Sequence, residues 1–152
     1  MASLTILVIE DNQHDQFVLK HLLEKFGFKS QIKSSAEDAL EALTATKYAA
    51  VLLDLSLPGM DGFACIKEMR QRELISSSRT PVIALTASID DKVREKAMKA
   101  GMDDFIGKPF DPEELRKVLL RHVYEPAHPN LKTLQPLTAE ELDQNKWKEQ
   151  TA

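Results

Sequence analysis

Five residues in this 152-residue chain carry types that could work together chemically: Glu10, Asp11, Asp54, Thr86 and Lys108. Three carboxylates brought to one place repel unless a cation lies among them. The set is oxygen-only, with no His or Cys. It therefore suits a hard divalent ion such as Mg²⁺, which keeps several waters and binds through one or two carboxylates plus phosphate oxygens. A lysine ammonium offers a phosphoryl oxygen a point charge, and a threonine hydroxyl can donate to another. The combination reads as phosphoryl chemistry on a carboxylate nucleophile, with metal and lysine neutralising the moving charge. Each residue alone has a plainer explanation: an acid after a strand is usually a helix cap, Thr86 an ordinary strand end, Lys108 a surface lysine. Their convergence is what carries the reading.

That convergence follows from the elements around them. Leu4 to Ile9 is a β-branched run of the kind buried on both faces of a parallel sheet, and Glu10 and Asp11 follow it directly. Leu19, Leu22, Leu23 and Phe26 then recur at helical spacing, and Gly27 supplies a left-handed stop. Gln31 to Lys33 is a weak strand, after which Ser35 caps a helix carrying Leu40 and Leu43. Ala49 to Leu53 is a strong strand ending in Asp54; Leu57-Pro58-Gly59 is a turn, and Asp61 caps a helix running to about Arg72. Pro81 to Leu85 leads to Thr86, with Ser88 expected to cap the next helix, which stops at Gly101. Asp104 to Ile106 is a short strand shortly before Lys108. Asp111-Pro112-Glu113-Glu114 then opens a last helix, with Leu115, Val118 and Leu119 on its apolar side. Five strand-helix repeats predict an α/β fold, a parallel sheet covered on both faces. Ligands of such sheets bind beyond the carboxyl ends of the strands, which is where all five residues fall.

The sequence resembles the receiver domain of two-component response regulators. The resemblance rests on V-I-E-D-N (Val8 to Asn12), L-L-D-L-S-L-P-G-M-D-G (Leu52 to Gly62), P-V-I-A-L-T-A (Pro81 to Ala87) and D-D-F-I-G-K-P-F (Asp103 to Phe110), in family order and spacing. It covers about Leu4 to Val123. It implies a flavodoxin-like doubly wound five-stranded parallel sheet, order 2-1-3-4-5, with five helices. It also implies that Asp54 accepts a phosphoryl group from a phosphohistidine of a histidine kinase or histidine phosphotransfer protein. By the same resemblance Asp11 is a direct ligand of Mg²⁺ (or Mn²⁺), Glu10 its neighbour, and Ser56 lends a backbone carbonyl. Thr86 and Lys108 bind the phosphoryl group, Phe105 stands at the aromatic switch position, and the Lys108-Pro109 bond is cis. Phe105 lacks the hydroxyl of the tyrosine found in some members; it is either a switch working by packing or a plain core aromatic. Ser56 and Ser88 flank the path of the hydrolytic water. Neither offers a carboxylate or amide, so the phosphoryl group should last at least minutes.

Composition sets the limits. Net charge is −4, with 43% hydrophobic and 29% charged residues, a globular balance that does not advertise nucleic-acid or membrane-surface binding. The longest apolar run, Tyr48 to Leu53, is far short of the roughly 20 residues a membrane span needs. The single cysteine, Cys65, excludes an internal disulfide and fits a reducing, cytoplasmic setting; a buried, inert thiol is the expectation. The four histidines show no metal-pair spacing matched to a carboxylate, and His122 reads as partly buried and structural.

The chain divides at about residue 124 into a receiver domain and a proline-containing tail, 125–152, with a capping box at Thr138 and Glu141 and a short helix expected from about Thr138. The tail is net acidic, so no direct DNA binding is expected, and the downstream partner is an unidentified protein. Two other readings fit the residues less well. A haloacid dehalogenase-type phosphatase would carry an acid where Ser56 stands. A pseudo-receiver that only binds partners sits poorly with all five positions being filled. The expectation is a phosphorylation-controlled signalling module rather than an enzyme.

Overall fold

A computed structural model describes residues 4–72, 74, 80–88 and 90–124 of the chain. Five strands, β1 (Thr5–Ile9), β2 (Lys29–Lys33), β3 (Ala50–Asp54), β4 (Val82–Thr86) and β5 (Asp104–Gly107), alternate with five helices. The helices are α1 (Gln13–Lys25), α2 (Ala36–Ala45), α3 (Gly62–Gln71), α4 (Asp91–Lys99) and α5 (Pro112–Leu119), and α5 runs on into a π-helical turn, Leu120–Tyr124. All strand pairs are parallel, in the order β2-β1-β3-β4-β5. This is the flavodoxin-like arrangement expected above.

The period-2 alternation of the strands divides the core. Leu7, Ile9, Val51, Leu53, Val82 and Ala84 face α2 and α3, meeting Leu40, Ile66 and Met69. Ile6, Val8, Ala50, Leu52, Ile83 and Leu85 face α1 and α5, meeting Leu19, Leu23, Leu115 and Leu119. The central strands β3 and β4 are buried throughout. Each fully buried Leu or Ile side chain contributes about 1.5–3 kcal/mol of transfer free energy, so the rim of polar residues stands on the most strongly packed part of the molecule.

Several local details differ from the sequence expectation. The N-cap of α4 is Asp90, whose side chain accepts from the Val93 N–H at 2.8 Å, not Ser88. The helix starts too late for Ser88 to reach its free amides. β2 begins at Lys29, two residues early, because its backbone pairs along the whole length of β1 even though its side chains carry little apolar pattern. Asn12 caps α1, accepting from the Asp15 N–H at 2.9 Å, which leaves Asp11 without a capping duty. Gly27 (φ 91°) is the left-handed stop expected for α1, closing it in a Schellman motif with the Phe28 N–H on the Leu23 carbonyl at 2.9 Å. His122 does have a carboxylate partner: its Nε2 lies 2.8 Å from Asp104 Oδ2, which Arg121 also meets at 3.0 Å. This ties the end of α5 to β5. The tail 125–152, with its expected helix from about 138, lies outside the described residues.

Candidate functional site

The rim at the carboxyl ends of β1, β3, β4 and β5 brings the predicted residues together. The Glu10 side chain is fully buried, Asp54 is 3% exposed and Asp11 is open to solvent. Carboxylate oxygens of the three lie within 4.8 Å of one another. The backbone fixes each of them. Glu10 donates its N–H to the Lys33 carbonyl at 3.0 Å and accepts the Asn12 N–H on Oε2 at 3.2 Å. Asp54 Oδ1 accepts the Ser56 N–H at 2.9 Å, and among the described residues no backbone donor meets Oδ2. Gly62 lets the chain close tightly around Asp54. A Cβ there would sit 2.7 Å from the Asp54 carbonyl oxygen and 2.8 Å from the Leu55 Cα, so only glycine fits.

Lys108 reaches in from the end of β5. Its Nζ lies 2.6 Å from Glu10 Oε1 and 3.2 Å from both Asp54 Oδ2 and Asp15 Oδ2. Burial disfavours its charge, but Glu10 and Asp54 more than restore it, so its pKa is raised and it stays protonated. Burial works the other way on Glu10. Desolvation and the adjacent Asp54 push its pKa from 4.5 up to about 7, against the pull of Lys108 and Asn12. Negative charge is thus crowded in a sheltered place, and one lysine does not fully relieve it.

Thr86 ends β4 on the same rim and is buried. Its hydroxyl is engaged with the following loop, donating to the Ser88 carbonyl at 3.0 Å and accepting the Ser88 N–H at 3.1 Å. Ser88 Oγ lies 3.4 Å from Asp90 Oδ2. Ser56 and Ser88 both have exposed side chains. The Lys108-Pro109 peptide bond is cis. Phe105 is half-buried, with the Arg94 guanidinium 4.3 Å over its ring; it packs toward α4 rather than into the acidic cluster.

Three participants were not foreseen. Asp15 meets Lys108, Gln16 Nε2 donates to the Glu10 carbonyl at 2.5 Å, and Arg94 covers Phe105. Asp15 was accessible in principle, since it lies in the first turn of α1, which starts at the rim directly after Glu10 and Asp11.

The donor set passes a simple test for a metal. It is oxygen-only and crowded with negative charge, with one ligand open to water, as a hard divalent cation requires.

Comparison with known proteins agrees with this geometry. Residues 6–120 match the response regulator receiver domain family, and the chain belongs to that family. It is 38% identical over 119 residues to the transcriptional regulatory protein SrrA of Staphylococcus aureus, covering 76% of this chain and 47% of the relative. It is 34% identical over 122 residues to hybrid signal transduction histidine kinase C of Dictyostelium discoideum, covering 78% of this chain and 10% of the relative. The chain therefore spans half or less of these relatives. Among solved structures, a receiver domain of a sensor histidine kinase from Pseudomonas aeruginosa, with magnesium coordinated in its active-site cleft, superimposes with a TM-score of 0.70 at 32% identity, covering 80% of this chain and 98% of that one. The protein is a receiver module of two-component signal transduction.

Proposed function

We propose that Asp54 is the phospho-accepting residue and that residues 1–124 form the receiver. The observation that carries this is the placement of Asp54 Oδ2, 3.2 Å from the Lys108 ammonium and beside Glu10 and Asp11. Asp54 Oδ2 attacks the phosphorus of a phosphohistidine held by a histidine kinase or a histidine phosphotransfer protein. The P–N bond breaks, a P–O bond to Asp54 forms, and imidazole leaves.

Glu10, Asp11, Asp54 and the Ser56 backbone carbonyl would hold Mg²⁺ (or Mn²⁺). Bound there, the ion supplies positive charge against the carboxylates and the transferring phosphoryl oxygens. Lys108 adds a fixed charge on the other side. The Thr86 hydroxyl leaves its Ser88 contacts to donate to a phosphoryl oxygen, and this draws the loop between β4 and α4 inward. Phe105, with the Arg94 guanidinium over its ring, repacks and changes the surface offered to a downstream protein. No direct DNA contact is assigned to this acidic chain.

Ser56 and Ser88 flank the line of water attack without a carboxylate or amide, so self-catalysed loss of the phosphoryl group is slow, taking at least minutes. The buried Cys65 thiol suits a reducing, cytoplasmic compartment.

Incubation with acetyl phosphate and Mg²⁺ should add one phosphoryl group by intact-mass spectrometry, at Asp54. Labelling that persists in Asp54→Asn, or that proceeds fully in chelator, overturns the assignment.

A further inference from the structure

We propose that Asp15 is a positioning residue that draws the Lys108 ammonium toward α1 and so restrains phosphorylation of Asp54. The inference rests on the phospho-acceptor reading above and concerns how fast that site is filled.

The ammonium has three N–H donors, and three carboxylates surround it: Glu10 at 2.6 Å, Asp54 at 3.2 Å and Asp15 at 3.2 Å. Glu10 and Asp54 belong to the acidic cluster in any reading of the site. Asp15 does not. It lies outside the group of carboxylates that could share a metal ion, and the cap of α1 is Asn12. An acid in the first turn favours the positive end of the helix without needing a partner, so its contact with Lys108 is an additional feature. The pair is sheltered, with side-chain exposures of 19% for Lys108 and 22% for Asp15, and is screened less than a surface pair.

The contact matters because an incoming donor is an anion. With acetyl phosphate, Asp54 Oδ2 attacks phosphorus and the bond from phosphorus to the acetate oxygen breaks. Acetate leaves with the electron pair, and no proton is transferred. Two negative charges carried by the phosphoryl oxygens must approach a rim already holding Glu10, Asp11 and Asp54. Lys108 is the cation paired with Asp54 and meets that charge. Asp15 cancels part of its field and occupies one of its donors, so each phosphoryl transfer begins by loosening the Asp15–Lys108 pair.

The test compares Asp54 labelling rates by acetyl phosphate at saturating Mg²⁺, followed by intact mass. The proteins are the parent, Asp15→Asn, Asp15→Glu, Lys108→Met and the Asp15→Asn/Lys108→Met double variant. Asp15→Asn should label roughly threefold or more faster, an electrostatic effect that shrinks as ionic strength rises. Asp15→Glu keeps the carboxylate and should return toward the parental rate. In the Lys108→Met background the acceleration should vanish. Should Lys108→Met label too slowly to time, Asp15→Glu decides.

An unchanged or slower rate in Asp15→Asn overturns the proposal. So does an equal acceleration without Lys108, or an Asp15→Glu rate matching Asp15→Asn. If the parent itself takes no phosphoryl group at Asp54, the phospho-acceptor reading fails instead, so the two failures are distinguishable.

Discussion

Replacing Glu10 by Gln should stabilise the metal-free protein, although it removes half of a buried ion pair. Glu10 is fully buried beside Asp54, and its carboxyl is pushed from 4.5 up to about 7 by desolvation first and by Asp54 next. At roughly 1.4 kcal/mol per pH unit, that displacement sets an upper bound of about 3.5 kcal/mol on the burden of ionised Glu10 at pH 8. Gln keeps the Asn12 hydrogen bond but gives up the attraction of Lys108, so a net gain of about 1–2 kcal/mol is expected, or several degrees in Tm. The sign with pH follows from linkage. A carboxyl whose folded pKa lies above its unfolded value binds protons more tightly in the folded state. Its penalty is absent below about 4.5, grows as pH rises toward 7, and is constant above. Thermal unfolding followed by circular dichroism in chelator should therefore show little difference between Glu10→Gln and parent at pH 4.5 and the full gain at pH 8. Added Mg²⁺ should raise the parent's Tm more than the variant's, because a ligand that binds only the folded state stabilises it more the tighter it binds, growing with the logarithm of affinity. A variant less stable than the parent at pH 8 in chelator, or a gain independent of pH, refutes the account.

Two further outcomes are expected. Gly62→Ala places a methyl 2.7 Å from the Asp54 carbonyl oxygen and 2.8 Å from the Leu55 Cα, both backbone atoms that cannot move aside freely. It should cost about 1–3 kcal/mol in urea unfolding and slow Asp54 labelling, and a change within about 0.5 kcal/mol, the usual surface-substitution range, contradicts the packing argument. The Cys65 thiol is buried and its pKa is pushed up to about 12, by desolvation first and by Glu37 and Glu68 after it. Iodoacetamide at pH 8 should leave it unmodified in the folded protein and alkylate it in denaturant, so rapid native labelling would mean that the helix packing around it opens readily.

The rim of the site was legible because its residues directly follow apolar runs. Glu10, Asp54 and Thr86 each end a segment whose β-branched or leucine-rich pattern already marks a buried parallel strand, and in such a sheet every strand end points to one edge. What was not legible depends on distances across the fold. Ser88 and Asp90 are both competent caps by type, and only the actual start of α4 decides between them. The need for glycine at position 62 comes from the close passage of the Asp54–Leu55 backbone, which no local pattern of the chain encodes. β2 carries almost no apolar signal because an edge strand needs only its backbone to pair. Asp15 belongs with these cases. Its place in the first turn of α1 puts it near the rim, but its meaning depends on where the Lys108 side chain lies, which is set by β5 from the other end of the chain. The physical logic of the site joins both kinds of information. Strand ends collect more negative charge than one lysine can neutralise, and the surrounding packed core holds that charge in place. A divalent cation arriving from outside relieves that excess; on the reading proposed above, a phosphoryl group then adds negative charge of its own, for Lys108 and Thr86 to meet. Thr86 ends β4 and Lys108 directly follows β5, so in that proposal meeting the new charge draws on the strands that carry Phe105 and lead to α4.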